Sequence, residues 1–136
     1  MKVFLDANII FSAAATDGAI RSLLGLIEDA GHECWADAFV VEEARRNIEA
    51  KSPDATVGLE GLIKRLQLVE AGRQIPPSAD FGKLPDKDRP VLEAAVRAGC
   101  QLLVTGDRTH FGAFYGRTLA GVAIHSPRSL LDALDL

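Results

Sequence analysis

Short apolar runs alternate along this chain with longer stretches in which apolar residues recur every three or four positions. The short runs have the length and composition of buried strands and cover residues 2–5, 33–36, 67–69, 101–104 and 122–124. The periodic stretches predict amphipathic helices over residues 19–30, 37–48, 54–63, 88–98 and 127–134. Strands that alternate with helices build a parallel sheet covered on both faces, so the pattern predicts an α/β fold with about five strands.

Polar residues and glycines mark the ends of these elements. The aspartates expected to begin helices are Asp17, Asp37, Asp54 and either Asp86 or Asp88. Gly31 and Gly99 stand where helices are expected to stop. Residues 72–85 contain three prolines and two glycines and are expected to be mainly loop. No repeat or linker interrupts the chain, so we expect residues 1–136 to form a single domain.

The composition is that of an ordinary water-soluble globular protein. Hydrophobic residues make up 48 % of the 136 residues and charged residues 25 %. Cys34 and Cys100 both stand beside apolar residues, so we expect reduced thiols in the core rather than a disulfide. The N-terminal segment meets a carboxylate at Asp6, too early for a signal peptide, and no apolar run approaches the roughly 20 residues of a membrane helix. We therefore expect a cytoplasmic protein with no membrane partner.

The net charge of −4 limits how this chain binds a polyanion. Proteins that hold nucleic acid by charge alone are basic over the binding face. A nucleic-acid enzyme with this composition needs a local reversal of sign, which bound divalent cations provide.

Four acidic side chains fall where an open parallel sheet binds its ligands. Asp6 follows the first strand, and Asp107 follows the fourth strand after a Thr-Gly turn. Glu43 lies on the second helix, and Asp88 in the first turn of the helix before the fourth strand. Ligands of such sheets bind at the carboxyl ends of the strands, so we expect these four carboxylates to share one crevice.

Gathered carboxylates repel one another and are costly to bury unless a cation compensates them. Oxygen ligands without a Cys or His pair favour Mg²⁺, with Mn²⁺ as a substitute, over Zn²⁺. Such an ion activates water and neutralises the charge that develops on a phosphodiester. The residues therefore point to metal-assisted phosphodiester hydrolysis.

Four sequence blocks resemble those of the PIN-domain nucleases, which include the VapC-type toxins of toxin–antitoxin systems. The blocks are VFLDANII at 3–10, VEEARRNI at 41–48, DKDRPVLEAA at 86–95 and LVTGDRTHF at 103–111. They occur in the family's order and spacing and extend over nearly the whole chain. Pro90 is a departure, because it stands where a helix former is usual, although early helix positions tolerate proline.

The resemblance implies a three-layer α/β/α domain with a central parallel sheet and an endoribonuclease that cuts single-stranded RNA with Mg²⁺. It also implies a homodimer and, for a toxin of a type II system, a small antitoxin protein that covers the site. The family's four acidic positions, which serve as metal ligands and catalytic residues, map onto Asp6, Glu43, Asp88 and Asp107.

Three further residues are expected to support this site. Asn8 and Thr105 match polar positions that support the acidic residues in the family. Arg108, next to the fourth acidic position, is a candidate for contact with the RNA phosphates.

Several alternatives stay open at the level of the sequence. Glu42 competes with Glu43, and Asp86 with Asp88, because only the phase of each helix decides which side chain faces the crevice. The main functional alternative is a catalytically inactive PIN-like module that binds nucleic acid or protein. A phosphotransfer enzyme or receiver domain is disfavoured, because Asn8 stands where such phosphatases have a second aspartate and no lysine follows the last strand.

Overall fold

The computed structural model describes residues 1–70 and 72–136, and its strands form one mixed sheet. The strands are β1 (Lys2–Leu5), β2 (Glu33–Ala36), β3 (Gln67–Leu68), β4 (Leu102–Val104), β5 (Thr118–Leu119) and β6 (Val122–His125). Their order across the sheet is β3-β2-β1-β4-β6-β5. All neighbours are parallel except β5 and β6, which form an antiparallel pair at one edge.

Helices fill the connections between the strands. They are α1 (Ala7–Ala15), α2 (Ala19–Asp29), α3 (Ala38–Lys51), α4 (Thr56–Arg65), α5 (Arg89–Arg97), α6 (Arg108–Phe111) and α7 (Pro127–Ala133). Short 3₁₀ turns cover Pro53–Ala55, Ala79–Lys83 and Gly112–Phe114. Among the residues described, no single helix is long and apolar enough to cross a membrane; α1 and α2 meet that test only as a pair, bent by 107°.

The central strand β1 shows that both faces of the sheet are covered. Val3, Phe4 and Leu5 are all fully buried, although successive side chains of a strand point to opposite faces. Strand β1 pairs with β2 on one side and with β4 on the other. The predicted α/β/α fold with a central, mostly parallel sheet is therefore confirmed, with six strands instead of about five.

The expectation that the first helix begins near residue 19 was incomplete. Helix α1 starts directly after β1, and the Asp6 carboxylate caps it by accepting a hydrogen bond from the backbone N–H of Ala7. This helix contacts α2, α3 and α4 and is therefore surrounded by protein on several sides. A helix buried in this way carries no polar stripe, so its sequence has no helical periodicity.

Several predicted helix ends are correct and two are wrong. Asp37 caps α3 by accepting a hydrogen bond from the N–H of Val40 at 3.0 Å. Asp17 does not cap α2, because Gly18 occupies the cap position and the Asp17 side chain points to solvent near Arg21. Asp54 lies in a 3₁₀ turn, and α4 begins two residues later.

The two glycines that were expected to stop helices have the conformation this role requires. Gly31 and Gly99 follow α2 and α5 with φ of 86° and 71°, values that an L-residue with a side chain rarely adopts. Both predicted stops are therefore confirmed.

The two cysteines are free and buried, as expected. Burial raises the pKa of Cys34 and of Cys100 to about 12, so both thiols stay protonated at neutral pH.

Candidate active site

The four predicted carboxylates line one pocket at the carboxyl edge of β1 and β4. The pocket has a volume of about 240 Å³ and includes Asp6, Glu43, Asp88 and Asp107 in its wall. Strands β1 and β4 are direct neighbours, with Leu5 beside Val104, so the residues that follow them emerge side by side. Sheet topology therefore brings together carboxylates that are about 100 residues apart in the sequence.

Asp6 is the most deeply held of the four acids and is 6 % exposed. One carboxylate oxygen accepts the N–H of Ala7 at 2.8 Å, and the other accepts the hydroxyl of Thr105 at 2.8 Å. Burial raises the pKa of Asp6, and the negative charges of Glu43 and Asp107 raise it further, whereas the two hydrogen bonds oppose this shift. A bound cation would therefore stabilise the ionised form of Asp6.

Thr105 joins the two strand ends through its fully buried side chain. Besides donating to Asp6, its Oγ1 accepts the backbone N–H of Asp107 at 3.1 Å and faces Nδ2 of Asn8 at 3.3 Å. Asn8 in turn accepts the N–H of Gly106 through Oδ1 at 2.8 Å. The predicted supporting positions Asn8 and Thr105 therefore form one hydrogen-bond network that fixes Asp6 relative to Asp107.

Gly106 allows a close approach of the backbone to Asn8 at the turn of this network. A Cβ built on Gly106 would lie 3.3 Å from Oδ1 of Asn8, which is closer than ordinary van der Waals contact. The small residue lets the backbone approach the Asn8 side chain, which keeps the N–H of Gly106 within hydrogen-bond distance.

The helical phase of α3 separates Glu43 from Glu42. Phe39, Glu43 and Asn47 are spaced by four residues and all line the pocket, so they form one stripe of the helix. Glu42 instead turns away, and its carboxylate lies 2.9 Å from the guanidinium of Arg45. The structure thus places Glu43 in the pocket and Glu42 outside it.

Asp88 and Asp86 are separated in the same way at the start of α5. Asp88 occupies the N-cap position, is 9 % exposed and lines the pocket. The side chain of Asp86 is 91 % exposed and pairs with Arg89 at 3.0 Å. Burial raises the pKa of Asp88, and the charge of Asp107 adds to the effect, while His110 opposes it.

Asp107 begins the short helix α6 and contacts His110 in two ways. One of its oxygens accepts the backbone N–H of His110 at 3.2 Å, and the other lies 2.8 Å from the imidazole Nδ1. Arg108 is exposed and is not among the residues that line the pocket, so its contact with RNA stays a prediction.

Three polar or aromatic residues of the pocket were missed by the sequence analysis. Phe39 and Asn47 lie one turn before and one turn after Glu43, and Lys87 precedes Asp88. The four-residue spacing on α3 was a usable signal, because residues four apart share a helix face. Lys87 had no comparable signal, since adjacent residues at a helix start point in different directions.

The donor set fits a hard divalent cation. Oδ2 of Asp88 is buried and has no hydrogen-bond partner among the described residues. An unpartnered buried carboxylate oxygen is costly, and a cation in the pocket would satisfy it. Asp88, Asp107 and His110 each offer a ligand atom, and the three atoms lie within 4.8 Å of one another. The cluster is therefore able to hold a metal ion.

Comparison with known proteins identifies the family. The sequence model of a family described as PIN domain matches residues 2–109, which is most of the chain. This chain belongs to the PIN-domain family. The match ends just after Asp107 and so includes all four pocket carboxylates of this PIN domain. No curated protein sequence matches the chain.

Solved structures share the fold of this PIN domain at low sequence identity. VapBC2 of Rickettsia felis, bound to a DNA fragment from its promoter, has 17 % identity and a TM-score of 0.64, covering 93 % of this chain and 98 % of the other. DNA-bound VapBC of Salmonella typhimurium has 18 % identity and a TM-score of 0.63, with the same coverage. VapBC-1 of nontypeable Haemophilus influenzae has 12 % identity and a TM-score of 0.59, covering 94 % and 99 %.

Proposed function

We propose that this PIN-domain protein is a Mg²⁺-dependent endoribonuclease that hydrolyses RNA phosphodiester bonds and serves as the toxin of a type II toxin–antitoxin pair. The observation that carries the proposal is the convergence of Asp6, Glu43, Asp88 and Asp107 on one pocket. The charges of Glu43 and Asp107 raise the pKa of Asp6, and Asp88 has a buried unpartnered oxygen, so the site is one that cations satisfy.

The residues of the pocket have different proposed roles in the reaction. Asp6, Asp88 and Asp107 would hold the ion, and Glu43 would add a fourth carboxylate, able to bind a second ion or to accept the proton of the attacking water. When bound, Mg²⁺ supplies a Lewis acid that activates water and neutralises charge on the phosphodiester. Thr105 holds Asp6 in place through its 2.8 Å hydrogen bond.

The rim of the pocket suits a single strand of nucleic acid. Phe39 is 44 % exposed beside Glu43, and an exposed aromatic ring stacks on an unpaired base. Lys87 places an ammonium group next to the acids, where it can contact a phosphate. Both features support a single-stranded nucleic acid as the substrate.

The toxin assignment draws support from the neighbouring folds. The three similar structures are VapBC complexes, two of them bound to DNA. By analogy we propose a small antitoxin protein as partner, a homodimeric toxin and a cytoplasmic location. Expression of the chain in a bacterial host tests the toxin role: it should arrest growth, Asp107→Asn should not, and co-expression of a small gene from the same operon should restore growth.

A cleavage assay with matched variants tests the nuclease function. A panel of labelled single-stranded RNAs is incubated with protein and Mg²⁺, Mn²⁺ or chelator. We expect cleavage only with metal, and a loss of roughly tenfold to 100-fold or more in Asp88→Asn and Glu43→Gln. Asp86→Asn and Glu42→Gln are the controls, because these neighbouring acids lie outside the pocket and should retain full activity.

Two outcomes would contradict the proposal. Cleavage that persists in Asp6→Asn and Asp107→Asn would separate the activity from the carboxylate pocket. A folded wild-type protein that neither binds Mg²⁺ nor cuts any RNA would favour the alternative, an inactive PIN-like module that binds nucleic acid or protein.

A further inference from the structure

His110 stands between two carboxylates of the active-site pocket. Its Nδ1 lies 2.8 Å from Oδ2 of Asp107 and 3.1 Å from Oδ2 of Asp88. The backbone of His110 is fixed as well, because its N–H donates to the other oxygen of Asp107 at 3.2 Å. The imidazole is therefore held at the site and faces both acids with the same nitrogen.

Hydrogen bonding alone does not satisfy this arrangement. One imidazole nitrogen carries at most one proton, so Nδ1 can donate to only one of the two carboxylates. Asp107 accepts that hydrogen bond, and Oδ2 of Asp88 remains without a partner although Asp88 is only 9 % exposed. A cation shared by the three atoms would satisfy the nitrogen and both carboxylates at once.

The two distances from Nδ1 of His110 to the carboxylate oxygens are compatible with ligands of one ion. Two neighbouring ligands of an octahedral ion with bonds of about 2.1 Å lie about 3.0 Å apart. Nδ1 of His110 lies 2.8 Å and 3.1 Å from the two carboxylate oxygens, and the whole group fits within 4.8 Å. Each carboxylate oxygen thus lies at the distance expected of a ligand adjacent to Nδ1.

We propose that His110 is a metal ligand through Nδ1, together with Asp88 and Asp107, and that its imidazole raises the affinity of this centre for Mn²⁺ more than its affinity for Mg²⁺. The inference rests on the proposed metal-dependent function and concerns how one ligand changes the relative affinities for the two ions. Mg²⁺ binds almost entirely through oxygen, whereas first-row transition ions also accept imidazole nitrogen, Mn²⁺ with the lowest affinity of that series. A fixed imidazole nitrogen therefore adds more to the affinity for Mn²⁺ than to that for Mg²⁺.

Binding measurements on the whole chain test the ligand role without relying on activity. His110→Asn is the informative variant, because its carboxamide can still donate a hydrogen bond to Asp107 but does not replace an imidazole ligand. His125→Gln is the matched control, since His125 contacts Ser129 and does not line the pocket. Calorimetry gives the affinities for Mn²⁺ and Mg²⁺, and electron spin resonance of bound Mn²⁺ detects coupling to a directly bonded imidazole nitrogen.

We expect nitrogen coupling in the wild type and in His125→Gln, and none in His110→Asn. The affinity of His110→Asn for Mn²⁺ should fall by about tenfold or more, while its affinity for Mg²⁺ changes much less. A Mn²⁺-loaded wild type without nitrogen coupling overturns the ligand role of His110, and this measurement needs no variant to fold.

The same experiment separates failure of this inference from failure of the proposed function. If Asp107→Asn loses affinity for both ions but His110→Asn binds Mn²⁺ like the wild type, the metal site stands and the role of His110 is refuted. If the wild type binds neither ion, or if Asp107→Asn binds as the wild type does, the metal-dependent function itself fails.

Discussion

The hydroxyl of Thr105 is expected to stabilise the protein mainly through its contact with the ionised Asp6. Thr105→Val keeps the branched shape and removes only the hydroxyl, which is not a conservative change at a buried position. It deprives Asp6 of a 2.8 Å hydrogen bond and the N–H of Asp107 of a 3.1 Å acceptor. A hydrogen bond to a charged group contributes about 1.5–3 kcal/mol, and an unsatisfied N–H adds to the loss, so we expect a cost of about 2–4 kcal/mol.

Urea unfolding in the presence of chelator measures this cost without a contribution from metal. With a slope of about 2 kcal/mol per M for a chain of this size, the midpoint should fall by about 1–2 M. Thr105→Ser is the control, because it keeps the hydroxyl and loses one methyl group, which costs about 1 kcal/mol. The urea midpoints of Thr105→Val and Thr105→Ser should therefore differ clearly.

The pH dependence of the stability of Thr105→Val shows whether the hydrogen-bond partner of the lost hydroxyl is a carboxylate. Burial already raises the pKa of Asp6, and the hydrogen bond from Thr105 lowers it, so the pKa should be higher still in Thr105→Val. A carboxyl group whose pKa is raised on folding binds more protons when folded, so stability falls as the pH rises through that pKa. This loss of stability with rising pH should be larger in Thr105→Val. The difference in unfolding free energy between the variant and the wild type should therefore narrow on acidification. A variant within about 0.5 kcal/mol of the wild type, or a gap that does not change with pH, would refute the reasoning.

Three further predictions follow from the same site and from the core. In chelator, and below the pH range in which His125 accepts a proton on unfolding, the melting temperature should rise on further acidification toward the raised pKa values of Asp6 and Asp88, because protonation removes buried charge; a melting temperature that falls there contradicts this. Mg²⁺ at 100 times its Kd should stabilise the wild type by about 2.7 kcal/mol, and Asp88→Asn should lose most of this gain, as denaturation with and without metal will show. Cys34 and Cys100 should react with a thiol reagent only after urea is added, and rapid labelling of the native protein would contradict their burial.

The order of strands and helices could be predicted from the sequence because most elements carry a periodic pattern. Helix α5 buries Val91, Leu92, Ala94 and Ala95 and leaves its charged residues only partly buried, so its period is visible. Helix α1 could not be found in this way, because three helices cover it and nearly every position is apolar. Strand β5 has two residues and exists only through its pairing with β6, a contact that no local pattern encodes.

The members of the pocket could be predicted only as far as sheet topology and helical phase determine them. Glu42 and Asp86 stayed open as alternatives because acids close together in the sequence differ only in the direction of their side chains. In the structure both side chains point away from the pocket and pair with arginines. The position of His110 at the pocket depends on the path of the Thr105–Gly106–Asp107 turn, and hydrogen bonds to Asn8 fix that path. Such contacts between distant segments are not visible in a single sequence.

The distribution of basic residues explains how an acidic chain can hold RNA at this pocket. Arg45 is bound to Glu60 and Glu42, and Arg65 and Arg89 are likewise paired with acids, so their charges are largely neutralised within the protein. Among the described residues that line the pocket, Lys87 is the one basic side chain and stands against four carboxylates. Without metal the pocket therefore repels a phosphate, and with metal it attracts one. The same ions are expected to recruit the substrate and to activate the water, so RNA affinity and cleavage should depend on divalent cations together.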